Sequence, residues 1–163
     1  MKNTVAMSEK VINISYREYD SKENAPLEYR ELLKNAMDAA DCAYAPYSNF
    51  HVGAAIKMSN GIIVTGSNQE NAAYPSGLCA ERVALFHAHH SYPHESVEAI
   101  AVIAKNDTGE LAQELTVPCA ACIQVMVESE KRGKRPITII IGSATKIITV
   151  ESVQNLLTFS FGK

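Results

Sequence analysis

Three cysteines in two short motifs constrain the fold of this chain more than any other feature of its sequence. Cys79 begins one motif, while Cys119 and Cys122 follow Pro118 as a Cys-x-x-Cys pair. Each motif stands where the pattern predicts the start of a helix, and proline is common at such a start. Free N–H groups give a helix N-terminus a partial positive charge, which favours thiolates there. If the two helices lie side by side on a sheet, the three sulfurs form one cluster.

The periodicity of the remaining sequence predicts an α/β sheet with helices on both faces. A hairpin spans residues 50–67 with Asn60-Gly61 at its turn, a dipeptide typical of tight hairpins. The order that follows is helix, strand, helix, strand, which favours this architecture. The predicted helices cover residues 27–43, 79–90 and 119–131, and the predicted strands cover 11–19, 50–58, 62–67, 97–104, 137–141 and 146–150, with a last helical piece at 151–157.

The length of 163 residues predicts one domain with a single main core. We expect this domain to span residues 27–163, preceded by an N-terminal extension, residues 1–26, that contains an edge strand. Cys42 lies among alanines, and we expect it to be a small buried core residue. The other residues expected in the core are Val52, Ala54, Ile56, Val102, Ile139 and Ile141.

The charge and the cysteine content exclude several classes of protein. Fifteen Lys and Arg against 18 Asp and Glu leave a net charge of −3, which argues against a nucleic-acid-binding protein, because those are usually clearly basic. No apolar run approaches the roughly 20 residues of a membrane span, and no secretory signal is visible. We therefore expect a cytoplasmic protein in which the cysteines serve metal or redox chemistry rather than disulfides.

The three cysteines and their neighbours fit a catalytic zinc site. Three protein ligands with an open fourth position are typical of catalytic zinc, whereas structural zinc is usually held by four. Glu81 can stand beside the metal without binding it and can move a proton between water and a leaving group. Because three thiolates leave the zinc centre with an excess negative charge, we expect the guanidinium of Arg82 to donate to the sulfurs.

Together with three further blocks, these motifs make the sequence resemble the cytidine deaminase family. The resemblance is to the small type with three cysteine ligands that acts on free nucleosides, and it covers roughly residue 27 to the C-terminus. The further blocks are APYSNFHVGA at residues 45–54, NQENAAY at 68–74 and LLTFSF at 156–161. The fold that the resemblance implies is a three-layer α/β/α sandwich with a mixed central sheet.

The implied reaction is hydrolytic deamination of cytidine and deoxycytidine to uridine and deoxyuridine, in pyrimidine salvage. Cys79, Cys119 and Cys122 match the ligands of one zinc ion, and Glu81 matches the proton shuttle. In the implied mechanism, zinc hydroxide adds to C4 of the base, N3 is protonated through Glu81, and ammonia leaves.

The resemblance also implies the residues that bind the nucleoside. Asn68 and Glu70 match the pair that hydrogen-bonds the ribose 3′-hydroxyl, and their amide and carboxylate suit hydroxyl donors. Phe50 matches the aromatic residue that packs on the pyrimidine. The backbone around Ala80 is implied to help hold the base.

Members of this type are typically homotetramers in which neighbouring subunits complete each pocket, and Tyr74 and Phe161 match positions that do so. The sequence departs from the family pattern at three places. Ala120 replaces a common glycine, and Ile123 replaces an arginine, which leaves more of the charge neutralisation to Arg82. Thr158 stands where proline is common, and none of the three departures affects a ligand or Glu81.

Other interpretations of single motifs remain open. The Cys-x-x-Cys pair alone would suit a thioredoxin-like redox site, and a fourth ligand such as His51 would make the zinc structural. His87, His90 and His94 have helical spacing that would suit a second metal site, but we interpret them as solvated histidines favoured by the nearby helix C-terminus. The basic run at residues 131–135 is interpreted as a helix end and a solvated turn.

Three other functions fit parts of the pattern. One is a deaminase of a modified nucleoside or nucleoside antibiotic, which the Asn68 and Glu70 block disfavours. Another is a nucleic-acid editing deaminase, which the acidic charge and the cysteine at the first ligand position disfavour. The last is a zinc-binding protein without activity, which a substitution of Glu81 would distinguish from an enzyme.

Overall fold

A six-stranded mixed sheet forms the centre of the molecule in the computed structural model, which describes residues 8–157 and 159–161. The strands lie in the order β1-β6-β5-β4-β2-β3. Only β4 and β5 are parallel, and the other neighbouring strands are antiparallel. The strands are β1 (Arg17–Tyr19), β2 (His51–Met58), β3 (Ile63–Ser67), β4 (Val97–Lys105), β5 (Thr138–Gly142) and β6 (Ile147–Val150).

Helices cover both faces of this sheet, as the sequence predicts. Helix α1 (Leu27–Ala40) packs on one face, where its buried side chains meet a small apolar cluster that includes Ala101 and Ile140. Helices α2 (Ala80–Ser91) and α3 (Ala120–Gly133) pack on the other face against the larger core. The three-layer α/β/α sandwich with a mixed sheet is therefore confirmed. Single 3₁₀ turns at Lys22–Asn24 and Val153–Asn155 complete the regular structure.

The hairpin of β2 and β3 fixes the position of α2. Gly61 adopts a φ of 82° at the predicted Asn-Gly turn, a conformation that glycine tolerates without strain. On β3, a Cβ atom added to Gly66 would lie only 2.6 Å from the backbone nitrogen of Ala84. The missing side chain thus allows α2 to lie directly on the sheet. The carbonyl oxygen of Ala80, the first residue of α2, is also close to Gly66, so the start of α2 lies against β3.

The predicted core is largely confirmed. Val52 is half-buried at the edge of the larger cluster, because it lies near the start of β2. The other five predicted residues are completely buried, and these are Ala54, Ile56, Val102, Ile139 and Ile141.

The prediction that Cys42 is buried is wrong, because the Cys42 side chain is exposed. The predicted helix over residues 27–43 ends at Ala40, and Asp41 and Cys42 lie in the turn that follows. Neighbouring alanines therefore do not bring Cys42 into the core, and Ala39 and Ala43 are themselves only half-buried.

The N-terminal edge strand is shorter than predicted. Only Arg17–Tyr19 pairs, and its partner β6 offers just four residues. The preceding residues 8–16 are exposed, although Ile12, Ile14 and Tyr16 alternate with polar residues. The predicted helical piece at 151–157 is one 3₁₀ turn, and Thr158 lies outside the described residues. No helix in the described part of the chain is long and apolar enough to cross a membrane.

Candidate active site

The three cysteines of the two motifs meet at the ends of two neighbouring helices. Cys79 is the N-cap residue of α2, and Cys119 is the N-cap residue of α3. Cys122 lies in the first turn of α3 and is completely buried. Sγ of Cys119 is 4.0 Å from Sγ of Cys79 and 3.4 Å from Sγ of Cys122. The predicted convergence of the sulfurs is therefore present.

This donor set fits one zinc ion. All three sulfurs lie within 4.8 Å of one another, and tetrahedral zinc with Zn–S bonds of about 2.3 Å places its sulfurs about 3.8 Å apart. Within residues 8–157 and 159–161, the metal-ligating group contains no histidine or carboxylate, so His51 does not close the site. Cys119 is exposed and Cys79 is half-buried. An ion on this cluster would therefore keep an open side.

The charges around the cluster favour thiolate at Cys79. Hydrogen bonding with the Cys122 thiol, helped by the Arg82 guanidinium, lowers the pKa of the Cys79 thiol to about 5. The same interaction with Cys79, together with burial, raises the pKa of Cys122. Nη2 of Arg82 lies 3.9 Å from Sγ of Cys79, the contact predicted from the excess charge of three thiolates. Arg82 thus places a positive charge beside the cluster.

Glu81 is a buried carboxyl group beside the cluster. Its side chain is 4% exposed, and it lies in the first turn of α2, two residues after Cys79. Burial is the main reason that the pKa of Glu81 is raised, and the neighbouring Cys79 thiolate adds to the effect. A carboxyl group with a raised pKa is suited to accept and return a proton near neutral pH.

An open cavity of about 650 Å³ lies next to Cys79 and Arg82. Its wall includes Asn68, Glu70 and Tyr74, which the sequence assigned to substrate. A volume of this size is in the range of small-molecule sites. The cavity therefore joins the cysteine cluster to the polar residues of the 68–74 block.

Asn68 is oriented by the start of β2, and Glu70 by the loop that precedes β2. Oδ1 of Asn68 accepts from the backbone N–H of Val52 at 2.8 Å. Oε2 of Glu70 accepts from the N–H groups of Tyr47 and Ser48, at 2.9 and 3.3 Å. A hydrogen bond from the Ser48 side chain is the main cause that lowers the pKa of Glu70, so its carboxylate is charged. Both side chains retain hydrogen-bonding capacity toward the cavity.

The remaining predicted site residues differ in their exposure and in whether they line the cavity. Ala80 is completely buried at the start of α2. Phe50 is 38% exposed and does not line the cavity, whereas Tyr74 lines it and is 95% exposed. Phe161 is also largely exposed and is held through its backbone by Gln124. Among the described residues, no metal-ligating group includes His87, His90 or His94.

The sequence interpretation overlooked two residues of α3. Gln124 holds the backbone of Phe161, and Glu130 accepts hydrogen bonds from residues 152–154. No spacing pattern marks either of them, because their partners lie at the far end of the chain. The buried position of Glu130 on an otherwise apolar helix face was the one available signal.

Comparison with known proteins identifies the family. The model of the cytidine and deoxycytidylate deaminase zinc-binding region matches residues 27–135. The chain belongs to the cytidine and deoxycytidylate deaminase family. Within this family, a cytidine deaminase from Halalkalibacterium halodurans is 48% identical over 97 residues, which are 60% of this chain and 68% of the relative. A cytidine deaminase from Sporosarcina psychrophila is 40% identical over 102 residues, covering 63% and 70% of the two chains.

Solved structures of family members agree with the fold. The crystal structure of cytidine deaminase from Burkholderia pseudomallei gives a TM-score of 0.68 at 36% identity, covering 80% of this chain and 97% of that one. The crystal structure of cytidine deaminase from Mycobacterium tuberculosis gives a TM-score of 0.65 at 32% identity, covering 85% of this chain and 100% of that one. The resemblance stated from the motifs is thus confirmed, and the N-terminal extension precedes the region that the family model matches.

Proposed function

We propose that this deaminase hydrolyses cytidine and deoxycytidine to uridine and deoxyuridine and serves pyrimidine salvage. The observation that supports it most is the convergence of three sulfurs beside a buried carboxyl group at the wall of an open cavity. A redox pair would need neither the third cysteine nor Glu81. A structural zinc site would leave the cavity and the Asn68 and Glu70 block without a role.

In this proposal, Cys79, Cys119 and Cys122 hold one zinc ion. The ion, when bound, supplies the Lewis-acid activation of water that hydrolysis at neutral pH requires. The half-buried Arg82 offsets part of the negative charge of the sulfurs. Negative charge on the attacking water is therefore less strongly opposed by the thiolates. Cys79 lines the cavity and Cys119 is exposed, so the cluster is accessible to the base.

Glu81 moves the protons of the reaction. One carboxylate oxygen accepts a proton from the water that attacks C4 and then donates it to N3 of the base. A second transfer through Glu81 moves the proton of the hydroxyl formed at C4 to the amino group, so that the C4–N bond breaks, ammonia leaves and C4 becomes the carbonyl of uridine. Because burial raises the pKa of Glu81, both its protonated and its charged forms are accessible during the cycle.

The 68–74 block and Phe50 bind the nucleoside. The charged carboxylate of Glu70 and the amide of Asn68 accept and donate hydrogen bonds to ribose hydroxyls. Phe50 offers an apolar face to the pyrimidine, and the backbone at Ala80 holds its polar edge. A negative charge at Glu70 also disfavours a phosphate in the cavity, which supports a nucleoside rather than a nucleotide as substrate.

Completion of the site by neighbouring subunits is part of the proposal. Tyr74 and Phe161 are 95% and 87% exposed in the single chain, and large exposed aromatic side chains are frequent in interfaces. We assign them to the closure of neighbouring pockets in a homotetramer. We further assign the enzyme to the cytoplasm, where cysteines remain reduced and able to bind zinc.

The direct test is purified protein with cytidine, followed by the ultraviolet change as uridine forms, with zinc measured on the same sample. We expect turnover of cytidine and deoxycytidine and about one zinc per subunit. Deoxycytidine monophosphate and blasticidin S are each assayed alone as alternative substrates. Faster turnover of either compound would contradict the assignment of cytidine and deoxycytidine as substrates, and competition by single-stranded DNA would favour a nucleic-acid substrate.

A further inference from the structure

A single side chain of α3 holds the C-terminal segment at Phe161. Nε2 of Gln124 donates to the carbonyl oxygen of Phe161 at 3.1 Å, and the backbone N–H of Phe161 donates to Oε1 of Gln124 at 3.0 Å. The two bonds satisfy both backbone groups of Phe161, as a neighbouring antiparallel strand would. The aromatic ring takes no part in these contacts and is 87% exposed.

The same helix holds the segment at its beginning through Glu130. Its Oε1 accepts from Oγ of Ser152 at 2.8 Å, and its Oε2 accepts from the N–H of Val153 at 3.1 Å. Residues 156 and 157 between the two attachments pack against the larger core. The segment therefore has two polar attachments on α3, and Gln124 makes the one at the aromatic end.

The position of Gln124 ties this attachment to the cysteine cluster. Gln124 lies on α3 two residues after Cys122 and five after Cys119. Because a helix is rigid over so short a distance, the Phe161 backbone is held at a fixed place relative to the start of α3. An amide with one donor and one acceptor in use has little freedom to rotate, so the direction of the segment is also defined.

We propose that Gln124 is a positioning residue that fixes the backbone of Phe161 so that its ring closes a nucleoside pocket of the assembly. This inference rests on the proposed function, in which Phe161 is a closing residue. Gln124 itself does not touch the nucleoside. It acts through Phe161, and its amide is needed because no other side chain among the described residues bonds both backbone groups of Phe161.

The inference predicts a particular kinetic change. A ring that closes the pocket contributes to binding of the nucleoside and not to the proton transfers of Glu81. Loss of the two hydrogen bonds should therefore raise KM for cytidine roughly 5- to 30-fold while kcat changes less than about twofold. Variants that merely destabilised the fold would lower the amount of active enzyme and leave KM unchanged.

The experiment uses Gln124→Met, which keeps the length and helix propensity of the side chain but removes both hydrogen bonds. Gln124→Glu keeps an acceptor for the N–H of Phe161 and removes the donor, so its KM is expected between those of the wild type and Gln124→Met. Glu128→Met changes an exposed residue one turn further along α3 and is the control, with KM unchanged. Zinc content and thermal unfolding are measured for each variant.

Two further measurements separate positioning from a general structural role. In a Phe161→Ala background, Gln124→Met should raise KM no further, because the ring that it positions is absent. Hydrogen exchange at the Phe161 amide should be faster in Gln124→Met than in the wild type and in Glu128→Met. Unchanged KM in Gln124→Met, or KM effects that multiply in the double variant, would overturn the inference. A wild type inactive on cytidine would overturn the proposed function and the closure of the pocket, whereas faster exchange would still support the attachment.

Discussion

Nδ2 of Asn68 donates a hydrogen bond to the backbone carbonyl of Phe50 at 2.9 Å. The two residues are assigned to different parts of the nucleoside, the ribose and the base, yet one contact joins them across the edge of the hairpin. Oδ1 of Asn68 also accepts from the N–H of Val52. The side chain of Asn68 thus extends the hydrogen bonding between β2 and β3 beyond the last backbone pair, Gly53 and Ser67. Its orientation depends on the backbone of Phe50 and Val52.

Asn68→Ala should therefore lower both stability and nucleoside binding. The two lost hydrogen bonds to the backbone are expected to reduce the free energy of unfolding by about 1–2 kcal/mol, measured by urea denaturation. Asn68→Asp retains an acceptor for Val52 and loses the donor to Phe50, so it should be less destabilised than Asn68→Ala. Equal stability of Asn68→Ala and the wild type would show that these contacts do not hold the loop.

Glu130→Gln should destabilise the protein without a direct effect on the site. The buried carboxylate accepts hydrogen bonds from four donors, which are the N–H groups of Ile137 and Val153, Oγ of Ser152 and Nε2 of Gln154. An amide places an NH₂ group against some of these donors, at a cost of about 2–4 kcal/mol. Urea unfolding tests this, with Glu128→Gln on the exposed face of α3 as the control. If Glu128→Gln lowers the free energy of unfolding by the same amount, the four hydrogen bonds of Glu130 do not explain the loss.

His89 should make stability depend on pH in the weakly acidic range. Its Nε2 lies 2.8 Å from Oγ of Ser129, and burial, aided by Arg132, lowers the pKa of His89 from its usual 6.5. As pH falls, the unfolded chain therefore binds a proton before the folded chain does, and the stability from neutral His89 is lost below about pH 6.5. The stability of the wild type relative to His89→Gln should thus be smaller at pH 5.5 than at pH 7.5.

Chemical denaturation at the two pH values provides the measurement. His90→Gln, at an exposed position of the same helix, is the matched control. If the free energies of unfolding of the wild type and His89→Gln differ by the same amount at pH 5.5 and pH 7.5, His89 does not contribute to the pH dependence of stability.

Arg82→Ala should weaken the retention of zinc. The guanidinium contacts Sγ of Cys79 at 3.9 Å, and loss of such a partner typically costs about 10- to 100-fold in metal affinity. Arg82→Lys keeps the charge without the planar donor group and should be intermediate. Competition with a chromophoric chelator measures the affinity, and unchanged affinity in Arg82→Ala would argue against charge compensation by Arg82.

The elements of the fold were predictable where short-range patterns determine them. The Asn60-Gly61 turn between β2 and β3 and the helical spacing of α1 are local properties, and the structure agrees with both. The exposure of Cys42 was not predictable from its alanine neighbours, of which Ala39 and Ala43 are themselves only half-buried. Cys42 lies just beyond the end of α1, and a sequence pattern locates a helix end only to within one or two residues.

The metal site was predictable because chemistry restricts which residues can form it. Three cysteines at helix starts and a nearby glutamate define a small set of arrangements, and one of them is present. The attachments made by Gln124 and Glu130 were not predictable, since a glutamine or glutamate on a helix has many possible partners. Only the packing of the C-terminal segment on α3 selects Phe161 and residues 152–154 as those partners.

Glu81 moves the protons in the proposed reaction, and Glu81→Gln tests this role directly. The amide has nearly the same shape but cannot accept the proton of water. We measure uridine formation from cytidine and zinc content on the same samples of the wild type and Glu81→Gln. The prediction is about one zinc per subunit in both proteins and a turnover about 10²- to 10⁴-fold lower in Glu81→Gln. A zinc-loaded Glu81→Gln that deaminates cytidine as fast as the wild type would contradict it.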